Sequence, residues 1–395
     1  MRHVSDDERR HRLARRHALA PAHRVADPVA ATRAMTVLHA TEAPSVYLSL
    51  LARVDGLSVA DVDRALYDDR TLVKQLAMRR TLFVFPRDLL PAAWGSASAR
   101  VARALRSRFA KEIEQGGLAP DGAAWLDAAC AAALARLVDG SELSAQQLRE
   151  QVPELAGRID VGNGKWAANV AVAPRVLTQL GVEGQIVRGR NAGHWRTARP
   201  QWTATSTWLG EVPAPASEGE GYAELTRRWL RSFGPGTEAD LVWWLGATKG
   251  AVRAALADVG AVQVGLDGGG TGWLLPDDAL LDRAEPEVEP WAALLPVLDP
   301  TVMGWKERGF YLGGYGPMLF DVNGNAGTTA WWAGRIVGCW VQDPDGVVLL
   351  HLLEDVDPDG RAALAVESAR LTDWLGGQRV STVYPSIAMK TAVAP

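Results

Sequence analysis

One pattern recurs along the chain and limits what it can fold into: short helical segments with a polar residue at each start, then a β-branched or aromatic strand. In "GLSVADVDRALYDDR", Ser58 stands as an N-cap, Asp61 falls on the first turn, and Val59, Val62 and Leu66 share a face. Helices are expected before it, over Pro28 to Leu38 and about Pro44 to Val54. A short helical piece is expected after it, over Leu72 to Met78, and then the strand "RRTLFVFP" closed by Pro86. Three short helices and a strand outline a winged helix. The outline returns in "SELSAQQLREQVPEL" with Ser144 as cap, continued by the helix, glycine turn and strand of "VAPRVLTQLGVEGQIVRGR", with a wing over Gly189 to Thr197. It returns again after "YAELTRRWLRSFGPG", where Thr237 and Thr248 cap successive helices and "VQVGL" supplies the strand. No fixed period links the three, so this is repeated architecture and not a solenoid.

The rest of the chain is organised around these units. "EVPAPASEGEG", Glu211 to Gly221, reads as a linker. Beyond the acidic "DRAEPEVEP", short strands in "TTAWWAG", "RIVGCWVQ" and "GVVLLHLL" precede the helix "RAALAVESARLTDWLG". An α+β chain of four parts is expected: an N-terminal winged-helix unit with a basic helix (1–120), a second such unit (121–210), the linker with a third (211–285), and a β-rich module (286–395).

Charge and composition restrict the function classes. The net charge of -4 excludes a uniform field for polyanions, so any such site needs local basic patches. Eight arginines lie between Met1 and Arg33, and "SASARVARALRSRFAK" sets Arg100, Arg103 and Arg106 on one helix face, with Arg108 and Lys111 beside them. Such a helix is as a type a solvated face; its nearness to Arg79 and Arg80, just before the first wing, favours nucleic acid. Trp243, Trp244, Trp331 and Trp332 read as core or interface residues and not as base-stacking platforms. Cys130 and Cys339 have no metal-ligand spacing and read as buried thiols in a reducing compartment. The start lacks the apolar core of a signal peptide, and no run of about 18 apolar residues could span a bilayer, so a cytoplasmic protein is expected.

Catalytic signatures are mostly missing. There is no GxGxxG, Walker loop, HExxH, GxSxG or CxxC, and "DGGGTG" at Asp267 to Gly272 lacks the lysine and flanking helix of a phosphate cradle. No cofactor and no metal are implied. What remains is "MTVLHATEAPSVYLSL", where His39, Thr41 and Glu42 gather at a break between two apolar segments. Pro44 biases the preceding residue away from the helical region, which favours an extended link with His39 and Thr41 on one face. The structural alternative makes Thr41 a helix cap, Glu42 a charge favoured at a helix N-terminus, and His39 a satisfied, partly buried imidazole.

The stretch from "RAMTVLHATEAPSVYLSLLARVDG" to "LAMRRTLFVFPRDLL" resembles the N-terminal signature of the bacterial winged-helix family that contains the AlkZ and YcaQ DNA glycosylases. "LRSFGPGTEADLVWWLG" resembles its central unit, and "LLPVLDPTVMGWKERGFYL" and "RIVGCWVQ" its C-terminal signatures. The resemblance covers nearly the whole chain. It implies tandem winged helices and a β-rich end forming a C-shaped basic channel for double-stranded, damaged DNA, and an enzyme that releases N-alkylated or bulky-adduct purines, with crosslink unhooking among the family's activities. The family's catalytic pair is Gln-x-Gln or Gln-x-Asp where this chain has His39-Ala40-Thr41, so both paired positions differ. The resemblance makes Arg79, Arg80, Lys306 and Arg308 the main candidate DNA contacts, with Arg100, Arg103 and Arg379 behind them, any of which could instead pair with surface acids. A single-chain tandem array makes a monomer the expectation. The rival readings are a DNA-binding or damage-sensing protein without catalysis and, with less support, a small-molecule-responsive regulator.

Overall fold

The computed structural model describes residues 2–162, 168–278 and 287–392 of the 395-residue chain. The chain divides into two compact units, one made of residues 1–63 with 223–395 and the other of 64–222. The expected boundary at 285/286 and the first half of the "DRAEPEVEP" run lie outside the described residues. Among the described residues, no helix is long and apolar enough to cross a membrane.

In the first unit, helix starts follow their local signals. Ser5 caps the helix Asp6–Arg16, which carries three acids in its first turn and Arg15 and Arg16 in its last, matching the helix dipole. Ser58 and Asp61 cap reciprocally ahead of Val59–Asp63. Thr237 and Asp240 do the same for Glu238–Leu245, Gly246 turns the chain at φ 62°, and Thr248 caps Lys249–Asp258. An antiparallel hairpin follows, Val262–Leu266 with Thr271–Leu274, and the N-terminal strand His3–Val4 joins it in parallel. Asp267 at the hairpin turn accepts from the Asp6 amide and contacts the His3 ring, so "DGGGTG" is a structural turn. A four-stranded antiparallel sheet runs in the order Ala292–Leu295, Thr329–Trp332, Arg335–Gln342, Val348–Leu352, with the helix Pro358–Leu375 packed against it. Its central strand "RIVGCWVQ" is buried from Ile336 onward, as a continuous apolar run requires. Gly338 is obligatory there, because a Cβ would meet the His351 carbonyl oxygen at 2.2 Å.

Two expected boundaries shift. The Pro28 helix ends at Ala34, and Leu38–His39 is extended. Glu218 to Gly221, read as linker, form the first turn of the helix Glu218–Phe233, with Ser217 and Glu220 capping each other.

The helix Ala43–Leu51 is buried from Pro44 to Leu51 and is fixed by polar bonds to the 297–301 loop. Ser45 Oγ donates to the Val297 carbonyl at 2.9 Å, and Ser49 Oγ to Asp299 at 2.7 Å. Just past the helix end, Arg53 grips both Asp299 oxygens at 2.9 and 2.8 Å, and both side chains are fully buried. Arg53 also donates to the Ser49 carbonyl and to Thr301 Oγ1. Thr301 Oγ1 lies 2.9 Å from His17 Nδ1, and His17 Nε2 lies 3.2 Å from the Ser232 carbonyl. A carbonyl only accepts, so Nε2 carries the proton and Nδ1 accepts from Thr301. Phe233 and Trp305 pack on the ring. Burial, and after it the nearby Arg53 charge, hold the His17 pKa well below the ordinary histidine value.

The second unit is mainly helical. Helices Ala99–Gln115, Gly122–Leu137 and Ala173–Val182 bury Leu105, Phe109, Leu126, Leu177 and Leu180 in one core. Ser144 and Gln147 form a capping box on Ala145–Gln151, and Ile186–Asn191 pairs antiparallel with Pro200–Ala204 after a glycine turn at Gly184, φ 72°. The Leu72 to Met78 piece is not helical. Leu72–Leu76 is a strand paired antiparallel with Leu82–Pro86, from Leu72 opposite Pro86 to Leu76 opposite Leu82. Arg70 at φ 54° breaks the preceding helical path. Gln75 is held in the core by Trp94 Nε1 on its oxygen and by the Gly181 carbonyl on its nitrogen. A short apolar run does not distinguish strand from helix by period alone. Cys130 and Cys339 are buried free thiols, each pushed up to about 12 by burial.

Two outcomes follow from the buried pair and its histidine. Arg53→Met leaves the Asp299 carboxylate buried without its partner and should cost about 3–5 kcal/mol in urea unfolding, part of which an Arg53→Met/Asp299→Leu double variant restores. For His17, the unfolded chain binds a proton below about pH 6.5 and the folded chain does not. Stability should therefore fall as pH drops below about 6.5, by at most about 1.4 kcal/mol per pH unit from this group. Denaturation of His17→Gln at matched pH values should show a shallower slope than wild type.

Candidate functional site

The polar cluster ahead of the Ala43–Leu51 helix sits where the clamp described above holds the chain. His39 ends the short strand Leu38–His39 and is 5% exposed; Ala40 is buried, and Thr41 is exposed in the following bend. The chain is therefore extended at His39 but bends at Thr41, and the buried histidine and exposed threonine do not share the face expected of them. Thr41 does not cap the helix: the cap position is Glu42, whose side chain makes no bond to the helix amides. Its Oε1 instead accepts from Thr382 Oγ1 at 2.8 Å and from the Val383 amide at 2.6 Å. Its Oε2 is buried with no hydrogen-bond partner. Burial raises the Glu42 pKa, and the Val383 and Thr382 bonds oppose that shift. The carboxylate lines a cavity of about 190 Å³ whose walls include Pro44, Leu48, Val297, Trp340 and Met389. Partners 340 positions away leave no local signal, so spacing alone gave Glu42 no anchoring role.

The candidate cations fall into different settings. Arg79 and Arg80 occupy the turn between Leu72–Leu76 and Leu82–Pro86, at φ 54° and 59°. The turn runs over Met78–Arg80, and a left-handed non-glycine residue costs about 1–2 kcal/mol, so two arginines there are strained. Arg80 is exposed. On the helix Ala99–Gln115, Arg100 is exposed, while Arg103 pairs with Glu218, Arg106 with Glu183 and Asp127, and Arg108 with Glu112. That face is largely ion-paired, and exposed pairs of this kind contribute little. In the first unit, the Lys306 and Glu307 amides both donate to Asp240 at 2.8 Å, which leaves the Lys306 side chain exposed. Arg308 donates to the Trp305 carbonyl and lies over the rings of Phe320 and Trp243, at 4.5 and 5.0 Å. Desolvation lowers its pKa. Trp244 and Trp331 are core residues, Trp332 donates to Asp357, and Arg379 lines the Glu42 cavity. Among the described residues, no three or more His, Cys, Asp or Glu gather to hold a metal ion.

Residues 32–374 match the family described as DNA glycosylase AlkZ-like. The solved structure of the Streptomyces sahachiroi DNA glycosylase AlkZ is similar at a TM-score of 0.73, covering 95% of this chain and 97% of that one at 18% identity, which establishes a shared fold. No curated protein matches the chain by sequence.

Glu42 makes a pH test available. Its folded pKa lies above the unfolded value, so its contribution to stability is full below about pH 4.5 and is lost as pH rises through the folded value. Glu42→Gln keeps an acceptor for Thr382 and Val383 and carries no charge. It should melt no lower than wild type at pH 8, and any advantage should vanish near pH 4.

Proposed function

The chain belongs to the DNA glycosylase AlkZ-like family, and we propose that it hydrolyses the N-glycosidic bond of alkylated or bulky-adduct purines in double-stranded DNA, with His39 and Thr41 positioning the water. The observation that supports this reading is that His39 ends a short strand and Thr41 lies in the bend immediately before a tightly packed helix. A pair of water-holding side chains needs such a fixed backbone, because misplacement by an ångström costs rate. An N7-alkylated purine is already cationic and leaves as a neutral base, so the demand reduces to holding a water and stabilising an oxocarbenium-like state. A neutral His39 accepts a proton from that water, and the Thr41 hydroxyl fixes its position. No covalent enzyme–DNA intermediate is required, so the enzyme is read as monofunctional, and the single-chain tandem array is read as acting as a monomer.

In this reading the DNA-facing surface is carried by three tandem winged helices with a β-rich end, divided at 120, 210 and 285. Arg79, Arg80 and Lys306 are its main phosphate contacts. Arg308, stacked on two rings, contributes a fixed guanidinium edge, and Arg100 and Arg103 are peripheral. Contacts to phosphates without base readout suit an enzyme that finds damage through weakened glycosidic bonds. A second reading, DNA binding without catalysis, draws on the unequal exposure of the pair, His39 buried and Thr41 exposed.

Single-turnover base release from duplex DNA carrying N7-methylguanine decides between them. Wild type should release the base, and His39→Ala should lose release by at least about a hundredfold while keeping DNA affinity. Equal release by the variant removes His39 from the mechanism, and absence of release across a panel of N-alkyl and bulky adducts favours the binding reading.

A further inference from the structure

Within the second unit, a pocket of about 50 Å³ opens among the Leu72–Leu76 and Leu82–Pro86 hairpin, the Ala173–Val182 helix and the Ile186–Asn191 strand, and its polar lining includes Lys74 and Arg188. Arg188 stands directly across from Trp202 in the hairpin, with its guanidinium 5.3 Å from the ring centroid. Trp202 in turn packs on Gly181, where a Cβ would meet the ring at 3.3 Å. The ring thus holds the cation beside the pocket by a cation–π contact. Arg188 Nε is buried with no acceptor. Desolvation lowers the Arg188 pKa, and no carboxylate among the described residues offsets it. A second positive charge lines the same pocket: Lys74 donates to the Tyr67 hydroxyl at 2.8 Å.

The contrast with neighbouring arginines gives this its meaning. Arg190, two residues along the same strand, pairs with Asp68; Arg175, on the helix that lines the pocket, pairs with Glu112; Arg106 has two carboxylates. A partly buried guanidinium with its Nε shut off from water and no counter-charge carries a desolvation cost, and the ligand that offsets it is an anion. The planar fork of arginine matches tetrahedral oxyanions, and the pocket is the size of one such group.

We propose that the Arg188–Lys74 pocket is an oxyanion site that takes one phosphate group. The site rests on its own geometry. Assigning the phosphate to the DNA backbone rests on the glycosylase reading above, and free phosphate is the other source of the same chemistry.

The test uses the full chain. Thermal unfolding is followed while inorganic phosphate replaces chloride at constant ionic strength, for wild type and Arg188→Gln, with Lys74→Gln as a second variant. Affinity of the same proteins for undamaged duplex DNA is measured against salt. Phosphate should raise the wild-type Tm and leave Arg188→Gln unmoved, and in chloride the variant should melt no lower than wild type, since no ion pair is lost. On DNA, the log–log salt slope should become shallower by about 0.9, one phosphate contact. A slope change without a free-phosphate shift assigns the site to DNA, and a phosphate shift confined to proteins retaining Arg188, with an unchanged slope, assigns it to free phosphate. Absence of both effects, or an Arg188→Gln variant that is destabilised and responds to phosphate as wild type does, overturns the site. If wild type binds no DNA at any salt, the glycosylase reading fails, and the phosphate titration still decides the pocket.

Discussion

The buried bond between Arg53 and Asp299 is the constraint on which the first unit depends. It joins the end of the Ala43–Leu51 helix to a loop nearly 250 positions later, with both charges fully out of water. Such a pair adds little net stability over an apolar substitute, yet it is intolerant of losing one partner. Its value lies in geometry. Each Asp299 oxygen is matched by an Arg53 nitrogen, and Ser49 and the Thr301 amide take up the remaining acceptor capacity, so only one relative placement of helix and loop satisfies the network. His17 is tied in through Thr301 as a neutral donor–acceptor and brings the N-terminal helix to the same point.

The link bearing His39 and Thr41 inherits its position from this network. The helix that follows it cannot slide or rotate without breaking Ser45, Ser49 and Arg53 bonds together. Glu42, between the link and the helix, adds a tether to residues 382 and 383. Fixing the backbone immediately after the pair suits the proposed chemistry better than a flexible loop would.

What was legible in the sequence was local. Ser58, Ser144 and Thr237 all cap as read, each with a partner three residues on, because a cap is complete within four residues. The continuous apolar, β-branched "RIVGCWVQ" became a strand with the boundaries its composition suggested. The Leu72–Leu76 strand was not legible as such, since its identity depends on pairing with Leu82–Pro86 and on a core glutamine bound by Trp94. Glu42 was visible as a charge near a helix start, but its partners lie at the far end of the chain. The AlkZ-like resemblance was legible from scattered motifs, and the family match over residues 32–374 bears it out.

Basic residues show the same division between local pattern and context. The run from Arg100 to Lys111 has the spacing of a phosphate track, yet Arg103, Arg106 and Arg108 face acids supplied by other segments or the next turn. Arg188 has no such pattern around it, and no carboxylate among the described residues offsets its desolvation. Charge density along a sequence measures how many cations are present; only packing reveals which have already been neutralised. A surface that binds a polyanion is better sought among cations left in electrostatic debt than among those most closely spaced.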